Sequence, residues 1–337
     1  QDMALNIARR LHTRLAERKL SWGATSFNIN SSVGLVMINK ESKDIHSVLA
    51  AADDATFLAK EEGGKRIKLY ETSDNLFLKR RGEMQWVAKL SKALDENRFE
   101  LYYQPIVSLS EKPHHEDYKG ELLIRMIDEE GNTISPADFL PAAERYNMMP
   151  NIDRWVIRTA MEIYRQISAQ DERNNVSRLF TINLSAESIA DENFLDYIYE
   201  HIKNNDVKPE NFCFEITETV TITNMAKASK FIHDLKEIGC TFALDDFGSG
   251  FSSFGYLKDM PVDYLKIDGS FVKDMDTSSV DRAMVEAINN LGHVMGIQTI
   301  AEFVHNQSII DNLKELGVDY AQGYEISRPK PLKKLFS

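Results

Sequence analysis

The sequence predicts a modified (β/α)8 barrel of the TIM type, preceded by an incomplete α/β fragment. From Phe99 onward, eight short apolar segments typical of strands alternate with helical stretches over about 240 residues, which is the size and rhythm of such a barrel. No glycine-rich phosphate loop follows a strand, which counts against a nucleotide-binding fold. A doubly wound open sheet is the alternative.

The first seventy residues predict a helix, strands, a second helix and a further strand. Residues 3–19 carry apolar side chains at every fourth position and predict an amphipathic helix, and residues 26–38 are rich in β-formers. Residues 45–67 predict a helix that ends at the glycine pair 63–64. These elements are too few to enclose a core, so we interpret them as the end of an α/β domain.

A polar stretch at residues 70–75 separates this fragment from the barrel, and a helix with apolar residues on one face follows it. We therefore predict three segments: residues 1–75 as the fragment, 76–98 as a linker helix and 99–337 as the barrel.

The eight predicted barrel strands are, in order, FELYYQPIV, GELLIRM, LFTINLS, FCFEIT, CTFALDD, VDYLKID, QTIAEF and the segment around Tyr320. Helices are predicted over residues 151–170, 186–204, 221–239 and 280–296. Because helices intervene between most of the strands, we expect a parallel barrel.

Composition excludes several classes of protein. The net charge of −12 would repel a nucleic-acid polymer. The sequence contains no run of eighteen apolar residues, which is the length that a membrane-spanning helix needs. Cys213 and Cys240 lie in apolar runs, which predicts core thiols in a reducing, cytoplasmic compartment. Because the chain starts at Gln1 without a signal-peptide pattern, we interpret it as part of a longer protein, whose missing N-terminal region would hold any membrane anchor.

Polar residues recur where the predicted strands end. They are Glu121, Asn183, Glu215, Asp245, Asp246, Lys266, Asp268, Glu302 and Gln322. A single acidic residue at a strand end is usually a helix cap or a solvated loop group. The recurrence at successive strands indicates a site, because the carboxyl ends of parallel barrel strands meet on one face.

The residue types in this set point to divalent cations. Carboxylate and amide oxygens suit Mg²⁺ or Mn²⁺ better than Zn²⁺, and the adjacent pair Asp245–Asp246 would let one carboxylate bridge two ions. Two bridged cations are used for in-line attack on phosphodiesters. The glycine- and serine-rich segment that follows is either a helix cap formed by Ser252 or Ser253, or a mobile loop over the substrate anchored by Glu218.

Eight motifs, in order, resemble the EAL-domain family of cyclic di-GMP phosphodiesterases over residues 80–337. They are YYQPIV, ELLIRM, INLS, FEITET, LDDFGSGFSS, YLKIDGSFV, AEFVH and QGYEISRP, with Leu122 where the family's alanine usually stands. The resemblance implies a modified TIM barrel, a homodimer, two divalent cations (Mg²⁺ or Mn²⁺) and hydrolysis of cyclic di-GMP to linear pGpG.

The resemblance also implies roles for individual residues. The first metal would be bound by Glu121, Asn183, Glu215 and Asp245, and the second by Asp245, Asp246 and Glu302. Lys266 would act in catalysis with Glu121 and Glu302, by positioning the attacking water or stabilising phosphoryl charge. Substrate would be contacted by Gln104, Arg125, Asp268 and Gln322, and Glu218 would hold the loop 247–253.

Two positions depart from the family pattern. The usual AEGVE reads AEFVH here, so Phe303 replaces a glycine and His305 replaces the second glutamate, which lies near the metals in the family. His305 could accept a hydrogen bond or ligate a metal, but it lacks the glutamate's negative charge. We expect reduced activity or an altered metal preference; the alternative is a receptor that binds cyclic di-GMP and signals to a partner.

The first seventy residues resemble the C-terminal part of a GGDEF (diguanylate cyclase) domain. The matching pieces are IARRLHTRL, SSVGLV and AADDATFLAKEEGGKRI. The family's own signature would lie before Gln1, so the resemblance implies a structural or regulatory role rather than cyclase activity.

Overall fold

A computed structural model of the chain describes residues 2–16, 19–22, 25–28, 31–38, 45–61, 65–70, 86–110, 117–174, 176–223, 225–248 and 254–334. The chain divides into two compact units, Gln1–Gln85 and Trp86–Ser337.

The first unit is a small α/β assembly. Its elements are α1 (Asp2–Ala16), β1 (Lys19–Trp22), β2 (Thr25–Asn28), β3 (Val33–Leu35), α2 (Ile45–Glu61) and β4 (Ile67–Leu69). β1 and β2 form an antiparallel hairpin, so Lys19 opens a strand and does not end a helix as predicted. β3 and β4 are parallel and are connected through α2.

The described part of this unit buries little apolar surface. Ala55 and Ala59 on α2 are fully buried, whereas Ile7 and Leu11 on α1 are more than half exposed. The predicted helix stop at residues 63–64 and the polar stretch at 71–75 lie outside the described residues.

The second unit contains ten strands in the described residues. They are β5 (Phe99–Ser108), β6 (Asp117–Ile127), β7 (Thr133–Ile134), β8 (Ser177–Asn183), β9 (Phe212–Thr217), β10 (Thr241–Phe247), β11 (Tyr264–Ile267), β12 (Gln298–Ala301), β13 (Tyr320–Ala321) and β14 (Lys330–Pro331). Eight of them close a barrel in the order β5, β6, β8, β9, β10, β11, β12, β13 and back to β5. The fold is therefore a closed barrel of the TIM type, and the open-sheet alternative is wrong.

One barrel strand runs against the others, which corrects the expectation of a fully parallel barrel. β5 pairs antiparallel with both β6 and β13, while the other neighbouring barrel strands are parallel. Residues 109–116, which connect β5 to β6, are too few for the crossover that a parallel pair requires. The mouth of the barrel therefore lies at the carboxyl ends of seven strands and the amino end of β5.

Helices surround the barrel. They are α3 (86–95), α4 (Pro136–Arg145), α5 (Met149–Asn174), α6 (Ala186–Ala190), α7 (Phe194–Asn205), α8 (Glu218–Thr223), α9 (Met225–Glu237), α10 (Gly269–Val272), α11 (Ser279–Val294) and α12 (Gln307–Glu315). The helix predicted over 186–204 is two helices, because Asp191 adopts an extended conformation that ends α6. The helix predicted over 221–239 is also divided, into α8 and α9.

The main core lies between the strands and the surrounding helices. Phe180, Phe212 and Phe242 are fully buried there, and Leu90 and Ala93 bring α3 into the same core. The helix over 86–95 therefore packs within the barrel unit, while the preceding part of the predicted linker, 76–85, lies outside the described residues. Cys213 and Cys240 are buried and unpaired. Among the helices of the described residues, none is long and apolar enough to cross a membrane.

Candidate active site

Lys266 lies at the centre of the barrel mouth. Side chains alternate along β11, so Leu265 and Ile267 pack in the main core while Lys266 points into the barrel. Only 1% of Lys266 is exposed. Among the described residues, four carboxylates lie within 4 Å of its Nζ atom: Glu302 Oε1 at 2.8 Å, Glu215 Oε2 at 2.9 Å, Asp245 Oδ1 at 3.1 Å and Glu121 Oε2 at 3.6 Å.

These carboxylates come from different strands and converge because of the strand pairing. Glu215 is in β9 and Asp245 in the adjacent parallel strand β10, while Glu302 directly follows β12 on the other side of β11. Glu121 on β6 completes the ring from across the barrel. The parallel arrangement thus gathers acidic groups that are far apart in sequence.

The end of β10 turns two successive carboxylates toward the same cluster. In a regular strand the side chains of Asp245 and Asp246 would point to opposite faces. The pairing of β10 with β11 shifts between Leu244 and Phe247, and Asp246 adopts a left-handed backbone with φ of +55°. As a result, one oxygen each from Asp245, Asp246 and Glu302 lies within 4.8 Å of the others.

Two amide side chains donate hydrogen bonds to Glu121, and a third amide side chain lies beside it. Asn183 Nδ2 donates to its Oε1 at 2.6 Å, and Gln322 Nε2 donates to its Oε2 at 2.7 Å. Gln104 pairs opposite Glu121 on β5 and donates to the carbonyl of Ser327 at 3.2 Å. The antiparallel β5 thereby places Gln104 beside the mouth even though it lies in the middle of a strand.

The crowding of charge perturbs the titration of the site. Burial raises the pKa of Glu215 well above its usual value, against the effect of Lys266. Burial, with the charges of Asp245 and Glu121, raises the pKa of Glu302 to about 8. Burial lowers the pKa of Lys266, but the surrounding carboxylates outweigh that effect and raise it well above its usual value.

Asp246 belongs to the same electrostatic system. Burial and the nearby Asp245 and Asp268 raise its pKa to about 6. One ammonium group therefore faces several carboxylates, and the remaining negative charge must be neutralised by protons or by cations.

The residues present fit hard divalent cations. The buried Oε1 of Glu215 has no hydrogen-bond partner among the described residues, although an oxygen so placed normally has one. The close oxygens of Asp245, Asp246 and Glu302 offer a second group of potential ligands. Oxygen donors of this kind suit Mg²⁺ and Mn²⁺.

Two predicted substrate contacts lie around this cluster. Arg125 shares the inward face of β6 with Glu121, and its guanidinium lies 5.3 Å from the ring centre of Tyr102. Asp268 follows β11 and caps α10, accepting a hydrogen bond from Ser270 N at 2.7 Å.

Glu218 contacts the segment that follows β10. Its Oε2 accepts a hydrogen bond from Gly248 N at 3.0 Å, where Gly248 has φ of +97°. Residues 249–253, which include both serines proposed as caps, lie outside the described residues. The contact ties the start of the loop to α8.

The structure does not bring His305 into the carboxylate cluster. The side chain is exposed, and its Nδ1 donates to the carbonyl oxygen of Phe303 at 3.3 Å. Its Nε2 lies 3.4 Å from Asn306 Nδ2, which is consistent with the same neutral tautomer. The position that holds a glutamate in the family pattern therefore contacts its own loop here.

Sequence reasoning missed Asp153, a carboxylate that supports the site. It is 4% exposed and accepts hydrogen bonds from Ser185 N at 3.0 Å and from the hydroxyls of Ser185 and Ser188, each at 2.7 Å. These contacts fix the turn directly after Asn183. Asp153 lies within the long helix α5, where no local pattern distinguishes it.

The protein is a closed barrel of the TIM type. Its mouth holds a buried lysine surrounded by carboxylates. The model of the EAL domain matches residues 87–329, and the chain belongs to the EAL domain family.

Similar proteins align with most of the chain. The cyclic di-GMP phosphodiesterase PdeB of Shewanella oneidensis is 39% identical over 91% of the chain, which covers 35% of PdeB. The cyclic di-GMP phosphodiesterase PdeF of Escherichia coli is 35% identical over 72% of the chain and 32% of PdeF. The chain thus spans about a third of the length of these relatives.

A solved structure has the same fold. The EAL domain of FimX from Pseudomonas aeruginosa, in a crystal structure with bound c-di-GMP, is 29% identical and superposes with a TM-score of 0.66. The match covers 73% of the chain and 96% of that domain.

Proposed function

We propose that the barrel unit hydrolyses cyclic di-GMP to linear pGpG in bacterial second-messenger signalling, in a reaction that depends on two divalent cations, Mg²⁺ or Mn²⁺. The observation that carries the proposal is the ring of carboxylates around Lys266 in a member of a family whose relatives are named as cyclic di-GMP phosphodiesterases. A ring of this composition suits phosphodiester chemistry because it can hold cations next to a polarising ammonium group.

The proposed ligand assignment is the one that the resemblance to the EAL family implies, and the close oxygens of Asp245, Asp246 and Glu302 support part of it. Glu121, Asn183, Glu215 and Asp245 would hold the first cation, and Asp245, Asp246 and Glu302 the second. When bound, the cations supply a nucleophilic hydroxide from water and neutralise the phosphate.

Side chains of the protein would orient the reactants and the metal ligands. Lys266, fixed by its carboxylate neighbours and kept protonated, would orient the attacking water or stabilise charge on the phosphoryl oxygens. The amides of Asn183 and Gln322 would hold Glu121 in a ligating orientation.

Around the cluster we assign substrate contacts to Gln104, Arg125, Asp268 and Gln322. The guanidinium of Arg125 lies near the mouth and is suited to phosphate oxygens. Glu218 would hold the loop 247–253 in place for closure over the substrate.

We also propose that the first unit derives from a GGDEF-type domain and has a structural or regulatory role. Its support is the sequence resemblance of residues 1–70 and the parallel pair β3 and β4 connected through α2. The alignment with PdeB covers 91% of the chain and therefore extends beyond residues 87–329. The homodimer and the cytoplasmic location stay predictions, the latter supported by two unpaired buried thiols.

A turnover assay tests the function. Incubated with cyclic di-GMP and Mg²⁺ or Mn²⁺, the chain should release pGpG, and EDTA should abolish the reaction. Lys266→Ala and Glu121→Ala should each lower the rate by about a hundred-fold or more, the scale of a lost charge-stabilising group. Near-full turnover by either variant would refute the role assigned to that residue.

The alternative function is a receptor that binds cyclic di-GMP without hydrolysing it. The replacement of a family glutamate by His305 favours it, whereas the retained carboxylate ring favours the enzyme. Binding without pGpG formation, at equal affinity with and without EDTA, would identify a receptor.

A further inference from the structure

The rim of the mouth carries an aromatic ring with an unusual backbone. Phe303 directly follows Glu302, has φ of +54° and leaves 69% of its surface exposed. A bulky residue in the left-handed region is strained, and an exposed phenylalanine contributes little to the core. Strain of this kind concentrates at functional positions.

Neighbouring residues maintain the position of the ring. A Cβ atom on Gly269 would lie 2.1 Å from Cδ2 of Phe303, so the ring lies against the start of α10 in space that only glycine leaves. His305 donates a hydrogen bond to the carbonyl oxygen of Phe303, which supports the left-handed turn. The two departures from the family pattern thus form one local structure.

The ring lies beside the polar centre. Glu302, its predecessor in sequence, lies 2.8 Å from Lys266 Nζ, and Gly269 follows Asp268, which faces Asp246. An exposed aromatic face next to a site for a phosphodiester offers a surface on which a planar base can stack.

We propose that Phe303 is a specificity-determining platform that stacks on a purine base of the bound dinucleotide. This inference rests on the proposed function for the identity of the ligand. The cations and carboxylates would hold the phosphates, while the ring would select for the large flat base attached to them.

Binding and turnover are measured on the full chain to test the platform. Affinity for cyclic di-GMP is determined with Ca²⁺ in place of Mg²⁺, and KM and kcat with Mg²⁺. Phe303→Leu keeps apolar bulk and should weaken affinity and raise KM by about ten-fold, the scale of one lost stack, with kcat little changed. Phe303→Trp should retain the affinity.

Tyr118→Ala is the matched control. It removes an exposed aromatic ring at the amino end of β6 and should change neither the affinity nor the kinetic constants.

A double-mutant cycle separates stacking from packing. Gly269→Ala should weaken binding by displacing the ring, but should add little in the Phe303→Gly background, where the space is free. The preference for cyclic di-GMP over cyclic di-UMP should also shrink in Phe303→Leu.

The outcomes distinguish this inference from the proposed function. If the wild type binds cyclic di-GMP and Phe303→Leu binds it equally well, the platform is wrong and the proposed function stands. If the wild type binds without hydrolysis and Phe303→Leu binds about ten-fold more weakly, the platform stands and the enzyme reading is wrong. If the wild type does not bind cyclic di-GMP, both are wrong.

Discussion

At the scale of single residues, the site is dominated by the excess of buried negative charge over the one ammonium group of Lys266. Removing a partner from a buried charge cluster leaves the others uncompensated, which is far more costly than losing a surface ion pair. Burial, together with this crowding of charge, raises the pKa values of Glu302 and Asp246. Metal binding would therefore displace protons from the site.

The pH dependence of stability tests this charge excess. The pKa of Glu302 is raised to about 8, whereas a glutamate in the unfolded chain titrates near pH 4.3. Between these two pH values, the folded metal-free protein holds a proton on Glu302 that the unfolded chain has lost. Proton binding therefore favours the folded state at low pH, and the free energy of unfolding decreases as pH rises from the unfolded pKa to the folded pKa. In EDTA, we expect the melting temperature to fall from pH 5 to pH 8, and less steeply in Glu302→Gln.

Thermal unfolding monitored by circular dichroism at several pH values measures this effect. Addition of Mn²⁺ should restore stability at pH 8 in the wild type more than in Glu302→Gln, since the cation takes the place of the proton. Identical pH slopes for the two proteins would contradict the assignment to Glu302.

At the scale of elements, the end of β10 both supplies two carboxylates to the cluster and begins the loop that Glu218 contacts. Asp245 continues the inward face of the strand, and the register shift with the left-handed Asp246 adds a second carboxylate to the same cluster. Directly afterward, Gly248 is held by Glu218 from α8. The two adjacent carboxylates and the start of the loop are therefore fixed by one short segment.

Glu218 provides the test at this scale. Glu218→Ala removes the acceptor of the Gly248 amide, and we expect turnover to fall by about ten-fold, the scale of one buried hydrogen bond left unmade. Glu218→Gln keeps an acceptor oxygen and should retain most of the activity. Metal content, measured by elemental analysis, should be unchanged in both; a loss of metal in Glu218→Ala would show that the residue supports the ligands instead of the loop.

At the scale of the whole molecule, the barrel unit has its own closed sheet and its own core. α3 contributes Leu90 and Ala93 to that core, so the helix over 86–95 packs with the barrel strands. Closure matters for the site, because the pairing of β5 with β6 places Gln104 next to Glu121.

Removal of residues 1–85 tests the independence of this unit. We expect the fragment 86–337 to unfold cooperatively with a melting temperature within a few degrees of the full chain, since its core is complete. Differential scanning calorimetry measures this. A matched fragment that starts at residue 99 lacks α3 and should be clearly less stable. Loss of cooperative unfolding in the 86–337 fragment would contradict the independence of the barrel.

Much of the site could be predicted because strand ends leave a local pattern. Glu215, Asp245 and Lys266 each stand in a short apolar segment, and the repetition of such segments predicts a barrel that gathers them. Asp153 could not be predicted in this way, because its partners, Ser185 and Ser188, lie more than thirty residues away in sequence. The exposed position of His305 could not be predicted either, because it depends on the turn at Phe303.

The sequence by itself determined the fold class, the end of the barrel that carries the polar residues and their chemical type, because alternation and residue type are local properties of the chain. Only the tertiary structure decided that β5 runs antiparallel, that Asp246 turns back toward Asp245, and that Phe303 lies over Gly269. These features depend on the length of a connection, on a register shift and on the space between neighbouring strand ends, which exist only once distant segments have packed together.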